Sequence, residues 1–517
     1  MPFIKNLLEK SRNFKLNRNI SAKRGHELQL KTLRKLLDKA QFTEFGKTFN
    51  FKKILDSDYA DVEFLKAIPV GDYLNMLSWW EKSRKGEPNI TWPGKIDFFA
   101  VSSGTTDNAS KYIPFTKDMN RAIHRASLRQ IVALALTDIP KDHIMKNWLM
   151  VGGSTNLEYN GIYHSGDLSG ITTSHIPLVL QRISKPEPKI RYERNWQEKI
   201  AKMTREAVNW DVGIIAGVPA WIQMLFESIL EHYKISNIHE LWPNLEVYIH
   251  GGVSIKPYKK GIDKLLGRPI KYFDTYLASE GFIAFQHRED ASGMRLLLRN
   301  GIYFEFVPFN ELNFNENGEL IKDAKALNLL QVDENTDYAL VISTCSGAWR
   351  YLIGDVIRFT NLKNCEIEII GRTKHFLSLC GEHLSIDNMN RALELTSNEL
   401  GVDLIEFTVS GVPNSEGYFA HHWFVGYDGE ALNPDEVKRK IDDHLKVLND
   451  DYRVERTAAL KAIYLDLIPN DVFIQWMNKQ GKLGAQNKFP RVMKNEKLED
   501  WKQFVETYKK ESSIPLN

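Results

Sequence analysis

The chain has 517 residues, more than one ordinary hydrophobic core accommodates, so two or more domains are predicted. Hydrophobic residues make up 43% and charged residues 26% of the chain, which excludes disordered, collagenous and low-complexity proteins. Lys and Arg total 68 against 66 Asp and Glu, and this net charge of +2 gives no bulk electrostatic basis for a nucleic-acid partner or an anionic membrane.

Cysteine content and apolar runs indicate the compartment. The three cysteines, Cys345, Cys365 and Cys380, are odd in number and form no CxxC pair, so neither a disulfide framework nor a zinc cluster is indicated. The strongest apolar stretch, Ile131 to Leu136, is far shorter than the ~18 residues of a membrane-spanning helix. The N-terminus also lacks the apolar centre of a signal peptide. We therefore expect a soluble, cytoplasmic protein whose partners are small molecules.

Hydrophobic periodicity alternates along the chain between helical and strand-like patterns. Helices are predicted at residues 26–40, 117–136, 195–208 and 219–233. Buried strands are predicted where short apolar runs lead into loops, at residues 147–151, 212–216, 245–250 and 338–344. This alternation predicts an α/β fold with ligand-binding loops at the strand ends.

Residues 295–308 add an antiparallel feature, because they read as two strands joined through Asn300-Gly301, a strong hairpin signal. A domain boundary is predicted near Gly371-Arg372, which divides the chain into residues 1–370 and 371–517. The second part is expected to be a compact α+β unit. Its predicted helices lie at 387–399 and 434–448, and its predicted strands at 405–410 and 420–425.

The segment from Phe98 to Pro114 is an apolar strand that runs into a loop dense in hydroxyl groups. Its serines and threonines offer hydroxyl donors, Gly104 allows close backbone approach, and Lys111 adds a positive charge. These features favour a phosphate-binding loop, although a plain Ser/Thr/Gly turn explains the isolated string equally well. The chain contains no GxxxxGK[ST] sequence, so this is not a Walker A loop.

Two further strings carry suitable groups for nucleotide binding. Thr275 to Gly281 places an aromatic ring, a hydroxyl and a carboxylate within a few residues, for packing a base, contacting phosphate and holding Mg²⁺. Trp349 to Val356 places Asp355 directly after a glycine, where a carboxylate could accept paired hydrogen bonds from ribose hydroxyls or simply form a β-turn.

A third string, Gly371 to Ser378, follows the strand-like run that ends at Ile370. It presents Arg372 and Lys374, two cations suited to a ribose or phosphate group. We therefore predict that these two side chains lie at the edge of a nucleotide site.

In this order the strings resemble those of the adenylate-forming superfamily, and specifically the GH3 acyl acid-amido synthetases first described as auxin-responsive plant proteins. Ser102 to Pro114 is similar to the family's first nucleotide motif, Tyr276 to Glu280 to its second and Tyr351 to Asp355 to its third. Further similar segments are residues 29–51, 303–308 and 487–492, which match the N-terminal helix, the central strand and the C-terminal lysine segment. The second motif departs from the commoner Tyr-Ala-Ser-Ser-Glu by reading Tyr-Leu-Ala-Ser-Glu. Because the plant members are longer, a non-plant member is expected.

The resemblance implies a two-step reaction in which ATP adenylates a carboxylic acid and an amine, expected to be an amino acid, then displaces AMP. It implies a large N-terminal domain with mixed sheets and a β-barrel-like portion, and a smaller mobile α+β domain. Lys488 and Glu280 would be catalytic, Glu280 would hold Mg²⁺, and Tyr303 would line the acyl pocket. The implied ATP contacts are Ser102, Ser103, Gly104, Thr105, Thr106, Tyr276, Ser279, Asp355, Arg372 and Lys374.

Two other functions stay open on the sequence. An acyl-CoA ligase shares the adenylation step, for which the motifs serve, but transfers the acyl group to a thiol. A non-catalytic nucleotide-binding protein would keep the fold without turnover, although Glu280, Asp355 and Lys488 retain the residue types that the chemistry requires. On its isolated string, Lys488 reads as a surface lysine in a polar segment, and only the resemblance gives it a role.

Overall fold

The computed structural model describes most of the chain and divides it into two compact units. The described residues are 21–102, 111–176, 178–252, 254–255, 258–315, 318–322, 324–373, 376–377, 379–380, 382, 384–413, 418–428, 432–480, 489–493 and 495–511. The larger unit contains the described residues up to 373, and the smaller unit contains those from 376 onward.

The larger unit has fifteen described strands. They are β1 (Phe98–Ser102), β2 (Lys111–Phe115), β3 (Asn147–Val151), β4 (Glu158–Tyr159), β5 (His164–Gly166), β6 (Ser184–Lys185), β7 (Val212–Gly217), β8 (Val247–Gly251), β9 (Lys271–Ala278), β10 (Gly281–Phe285), β11 (Met294–Leu296), β12 (Ile302–Pro308), β13 (Asp337–Thr344), β14 (Tyr351–Asn361) and β15 (Glu366–Arg372).

Its described α-helices flank these strands. They are α1 (Ala22–Ala40), α2 (Glu44–Thr48), α3 (Phe51–Leu55), α4 (Ala60–Ala67), α5 (Tyr73–Arg84), α6 (Lys117–Leu134), α7 (Lys141–Ile144), α8 (Leu168–Ser174), α9 (Leu178–Gln181), α10 (Pro188–Arg191), α11 (Trp196–Glu206), α12 (Pro219–Tyr233) and α13 (Lys259–Lys264). Short 3₁₀ helices lie at Ala207–Asn209, Ile238–Glu240 and Leu362–Asn364.

One mixed sheet of eleven strands dominates the larger unit, in the order β12-β13-β14-β15-β11-β10-β9-β8-β7-β3-β6. In this order, the neighbouring strands β9, β8, β7, β3 and β6 pair in parallel. The remaining neighbours pair antiparallel. The antiparallel portion, expected to be barrel-like, therefore continues directly into the parallel strands. A second sheet has the order β2-β1-β5-β4 and pairs Ser102 on β1 with Lys111 on β2.

Aromatic residues pack the core of the larger unit, where N-terminal helices meet the antiparallel strands. Trp349 is 1% exposed, and its ring centroid lies 4.7 Å from that of Phe51 and 6.3 Å from that of Phe64. Helix α6 begins at Thr116, whose hydroxyl accepts a hydrogen bond from the Met119 amide at 3.1 Å. Its apolar face packs on β10.

The hairpin predicted within residues 295–308 is wrong. Both strands exist, and Gly301 has a φ of +75°, but β11 pairs with β10 and β15 while β12 pairs with β13. Helix α1 explains this outcome, because the Gln29 side-chain amide donates to the carbonyls of Leu298 at 2.9 Å and Ile302 at 3.1 Å. These long-range hydrogen bonds hold the connection against a helix, and local turn chemistry cannot report them.

The smaller unit has a three-stranded sheet in the order β18-β19-β20 and a two-stranded ribbon. Its described strands are β16 (Phe376–Leu377), β17 (Leu384–Ser385), β18 (Asp403–Pro413), β19 (Phe419–Asp428) and β20 (Leu460–Pro469). Its described helices are α14 (Ile386–Leu400), α15 (Pro434–Leu448), α16 (Asp450–Thr457), α17 (Asn470–Lys479) and α18 (Asn495–Glu511). Residues 489–493 run beside β18, where the Val409 amide donates to the Arg491 carbonyl at 3.0 Å.

The observed elements confirm the predicted α/β class, with a large mixed sheet in one unit and an α+β arrangement in the other. Within the described residues, no helix combines the length and the apolar character needed to cross a bilayer.

Candidate active site

The candidate site forms where the large sheet opens. Strand β11 has three residues, and it pairs only with the beginning of β15 and the end of β10. Beyond β11 the two halves of the sheet are no longer joined, and side chains from β9, β14 and β15 converge there. Polar side chains that converge from several strands are candidates for binding a ligand.

Asp355 is the centre of this convergence. It follows Gly354, whose φ of +92° lies in the left-handed region, and it stands opposite Arg372 in the β14–β15 register. Arg372 Nε lies 3.0 Å from Asp355 Oδ1, and the Tyr276 hydroxyl donates to Asp355 Oδ2. Three of the predicted ATP-binding residues, from three strands, are therefore in direct contact.

The Tyr276 side chain is a hydrogen-bond donor in this cluster at any ordinary pH. Its residue is 5% exposed, and burial together with the neighbouring Asp355 carboxylate raises the pKa of the Tyr276 hydroxyl well above its usual value. The hydroxyl thus stays protonated and keeps one oxygen of Asp355 oriented. An oriented carboxylate with remaining lone pairs can still accept hydrogen bonds from a ligand.

Glu280 lies in the turn between β9 and β10 and is 7% exposed. Burial raises the pKa of its carboxyl, while the positive charge of Lys111 acts in the opposite direction. Burial, followed by the charge of the nearby Glu280 carboxylate, raises the pKa of the Tyr351 hydroxyl well above its usual value. Glu280 is therefore a buried carboxylate whose charged form depends on nearby cations.

Tyr351 was not among the predicted site residues, whereas Lys111 was predicted as the positive charge of the first motif. Lys111 lies within this motif at the start of β2, and its Nζ lies 5.7 Å from the ring centroid of Tyr73 on α5. The position of Lys111 shows that the first motif lies close to the second motif in the fold. The sequence carried a signal for both residues, because the first motif contains Lys111 and the third motif begins with Tyr351.

The remaining predicted residues separate into two groups. Ser102 ends β1 opposite Lys111, and Ser279 is half-buried beside Glu280 in the β9–β10 turn, so both border the cluster. Ser103, Gly104, Thr105, Thr106, Lys374 and Lys488 lie outside the described residues.

Tyr303, predicted to line the acyl pocket, is 1% exposed on β12. Its ring makes an edge contact with Phe64 at a centroid distance of 6.0 Å, and its hydroxyl has no hydrogen-bond partner among the described residues. The residue next but one, Glu305, is buried and paired with Arg350, with 2.8 Å between a carboxylate oxygen and a guanidinium nitrogen. The role of Tyr303 stays a prediction.

The carboxylates around Glu280 determine whether this site could hold Mg²⁺. The described residues contain no cluster of three or more His, Cys, Asp or Glu side chains that could cage an ion. A protein site for Mg²⁺ usually supplies only one or two carboxylates, and substrate phosphates and waters complete the octahedron. The buried Glu280 carboxylate, whose pKa is raised in the absence of a close ion pair, fits such a shared site.

Comparison with protein families gives the same assignment along the chain. The GH3 family N-terminal domain matches residues 19–160 and 155–270. The GH3 family central domain matches residues 295–372, and the GH3 family C-terminal domain matches residues 387–497. These matches together cover most of the chain.

Individual relatives match at low identity over long spans. A jasmonoyl–L-amino acid synthetase, JAR4 of Nicotiana attenuata, is 22% identical over 479 residues, which cover 80% of this chain and 81% of that protein. An indole-3-acetic acid-amido synthetase, GH3.10 of Arabidopsis thaliana, is 22% identical and the match covers 92% of this chain and 93% of that protein.

Solved structures share the fold. The acyl acid amido synthetase AtGH3.15 in complex with 2,4-DB has a TM-score of 0.59 at 18% identity, with 98% of this chain and 96% of that chain covered. A 2-hydroxyisobutyryl-CoA ligase in complex with 2-HIB-AMP and CoA has a TM-score of 0.58 at 14% identity, with 95% and 94% covered. The family matches, which cover most of the chain, confirm the prediction from the motifs: this chain belongs to the GH3 family.

Proposed function

We propose that this protein is an ATP-dependent acyl acid-amido synthetase that adenylates a carboxylic acid and transfers the acyl group to an amino acid. The observation that carries the proposal is the Tyr276–Asp355–Arg372 cluster, with Glu280 at its side, in a chain of the GH3 family. The relatives are named as synthetases that join jasmonic or indole-3-acetic acid to amines, which supports amide formation as the second step.

In the first half-reaction a carboxylate oxygen attacks the α-phosphorus of ATP, and the bond between this phosphorus and the bridging oxygen of pyrophosphate breaks. Both reactants are anionic, so the site must hold them in line and compensate their repulsion. Asp355 would accept hydrogen bonds from the ribose hydroxyls, in the orientation that Tyr276 and Arg372 give it. Lys111, beside the first motif, would place its ammonium charge near the phosphates.

In the second half-reaction the amine nitrogen attacks the acyl carbon, the bond from this carbon to the phosphate oxygen breaks, and AMP leaves. The amine loses its proton to solvent or to a base. We propose that Mg²⁺, held by Glu280, supplies charge neutralisation to the phosphates. Tyr351, whose hydroxyl lies near Glu280, would help to orient this carboxylate.

We further propose that the functional boundary lies near residue 371 and that Lys488, Lys374 and the Ser103–Thr106 loop complete the site. Phe489, which directly follows Lys488, is 5% exposed in the core of the smaller unit. A lysine carries a compact charge on a flexible side chain, which suits an ammonium that follows a transferring phosphate. A cytoplasmic location also stays a proposal.

The test is pyrophosphate release from ATP and Mg²⁺ with pooled carboxylic acids, each pool assayed with amino acids, with CoA and with neither. Release that leads to an amide product with amino acids is the expected result. Release that depends on CoA would assign the chain as an acyl-CoA ligase. ATP binding without pyrophosphate release in any pool would contradict turnover and favour the non-catalytic protein.

A further inference from the structure

A groove of about 400 Å³ lies between helices α1 and α6 of the larger unit. Its floor is formed by buried residues, among them Leu28, Leu36 and Cys345. The connection between β11 and β12 closes one side, because Gly301 and Arg299 line it. None of the lining residues belongs to the Tyr276–Asp355–Glu280 cluster, so the groove is separate from the candidate active site.

The walls of this groove are strongly basic. Six cationic side chains line it besides Lys39: Lys31, Lys35, Arg121, Arg125, Arg129 and Arg299. The one carboxylate in the lining, Asp118, is already engaged, since Lys39 Nζ lies 2.7 Å and Trp92 Nε1 lies 3.1 Å from its Oδ2. Positive charge therefore far outweighs negative charge within this groove, although the net charge of the whole chain is only +2.

Three of the arginines lack a partner. Arg125, Arg129 and Arg299 make no hydrogen bond and no ion pair with any described residue. Arg129 is half-buried, and burial, followed by repulsion from Arg125 and Arg299, lowers the pKa of its guanidinium. Arg125 and Arg299 are exposed beside the half-buried Arg129, and an anion between the three guanidinium groups would remove their mutual repulsion.

The spacing of the arginines is regular. Arg121, Arg125 and Arg129 follow one another at intervals of four on α6, so their Cα atoms lie along one helix face about 6 Å apart. Like charges at this spacing disfavour the helix. Arg299 approaches from the β11–β12 connection, which α1 holds through Gln29.

We infer that this groove binds a small molecule that carries two or more phosphate groups. Guanidinium groups bind phosphate through paired N–H donors, and several of them in a row match a ligand with several phosphates. The volume lies within the range of small-molecule pockets and suits a ligand of about nucleotide size. The inference does not rest on the proposed synthetase activity, because it uses other residues.

A membrane surface or a nucleic acid would need a flat or extended basic face. The apolar floor and the concave shape of this groove favour a compact ligand instead. The experiment distinguishes a membrane surface and a nucleic acid from a compact ligand.

Tripolyphosphate is the probe, titrated calorimetrically into the full-length protein at low and at moderate salt. The test variant carries Arg125→Gln, Arg129→Gln and Arg299→Gln together. The matched control is Arg205→Gln, on the exposed side of α11. Lys111→Gln in the same titration identifies any tripolyphosphate bound at the first nucleotide motif.

We expect one saturable component that weakens at least tenfold in the triple variant, weakens with salt and persists in both Arg205→Gln and Lys111→Gln. Should the triple variant unfold, Arg299→Gln alone, on an exposed turn, gives the same comparison with a smaller loss. Equal affinity in the wild type and these variants would overturn the inference. Binding to phosphatidylserine vesicles or to DNA, without a saturable tripolyphosphate component, would overturn it as well.

Discussion

Asp355 illustrates how single residues acquire a role from their partners. A lone aspartate after a glycine is as common in a turn as in a binding site. Here each carboxylate oxygen has a different donor, Arg372 on one side and Tyr276 on the other. Because Arg372 and Tyr276 each hold a different oxygen of Asp355, the carboxylate is oriented before a ligand arrives.

Asp355→Asn is expected to weaken ATP binding by about tenfold or more, because a hydrogen bond to a charged group contributes about 1.5–3 kcal/mol. Isothermal titration with ATP measures the change. Asp337→Asn is the matched control, since Asp337 pairs with Arg358 in the same way on strands β13 and β14, with Nε and Oδ1 2.7 Å apart. If both variants lose affinity equally, the effect is structural and Asp355 does not contact the nucleotide.

The buried ion pair between Glu305 and Arg350 has a structural role at the residue scale. Arg350 is 5% exposed and also donates to the backbone carbonyls of Leu65 at 2.9 Å and Ile68 at 2.5 Å. It therefore joins β12 and β14 to the end of α4. Its own φ of +44° shows that the backbone accepts some strain to place this side chain.

Glu305→Ala is expected to lower the free energy of unfolding by about 3–5 kcal/mol, because it leaves the Arg350 charge buried without its partner. Urea unfolding followed by tryptophan fluorescence measures this loss. Glu63→Ala breaks an exposed pair with Lys66 and is expected to cost less than about 1 kcal/mol. A similar small loss in both variants would show that Arg350 finds other compensation.

At the scale of elements, the sequence predicts what local patterns determine. Helix α12 and strand β3 have the predicted bounds, and helices α1, α6 and α14 differ from prediction only at their ends. Side-chain period and caps are local, so they can be read from one segment. The β11–β12 pairing could not be read, since Gln29 on a distant helix decides it.

In the candidate site, too, local motifs could be predicted from the sequence and long-range contacts could not. The motif strings predicted Tyr276, Glu280, Asp355 and Arg372, and the folded sheet brings Tyr276, Asp355 and Arg372 into contact. Tyr351 and Glu280 are far apart in sequence, and only the folded sheet brings them close together. The basic groove as a whole could not be predicted from the sequence, since its arginines come from a helix and from a remote turn.

Helix α16 of the smaller unit carries a buried carboxyl that makes stability depend on pH. Glu455 is 5% exposed, and burial, with the nearby carboxylates of Glu382 and Asp451, raises its pKa from 4.5 to about 8. Between these values the unfolded chain has released the proton while the folded chain keeps it. Stability attributable to Glu455 is therefore complete below pH 4.5 and is lost as the pH rises towards 8.

Glu455→Gln should remove this dependence, so its melting temperature relative to wild type is expected to rise by a few degrees more at pH 8 than at pH 5. Scanning calorimetry at the two pH values measures the difference. Glu506→Gln, an exposed carboxyl on α18, is the matched control and should show the same small change at both. A Glu455→Gln shift that is equal at pH 5 and pH 8 would contradict the assignment.

At the scale of the whole molecule, the described catalytic candidates belong to the larger unit, whereas Lys488 belongs by sequence to the smaller part of the chain. A single site that needs both parts for adenylation can release one of them for the second step, and such domain motion is a common way to run two reactions in one site. The two half-reactions should therefore depend differently on residues of the smaller part.

Lys488→Ala is expected to reduce adenylation, measured as acid-dependent pyrophosphate release, by at least about tenfold, because in the proposed mechanism the Lys488 charge would stabilise the transferring phosphate in that step alone. The same variant should react chemically prepared acyl-adenylate with the amine at a rate much closer to wild type. Lys479→Ala is the matched control, an exposed lysine on α17 with its Nζ 4.0 Å from Asp500. Equal losses in the two half-reactions would mean that Lys488 supports the fold or both steps alike, and the division of labour between the two parts of the chain would then be wrong.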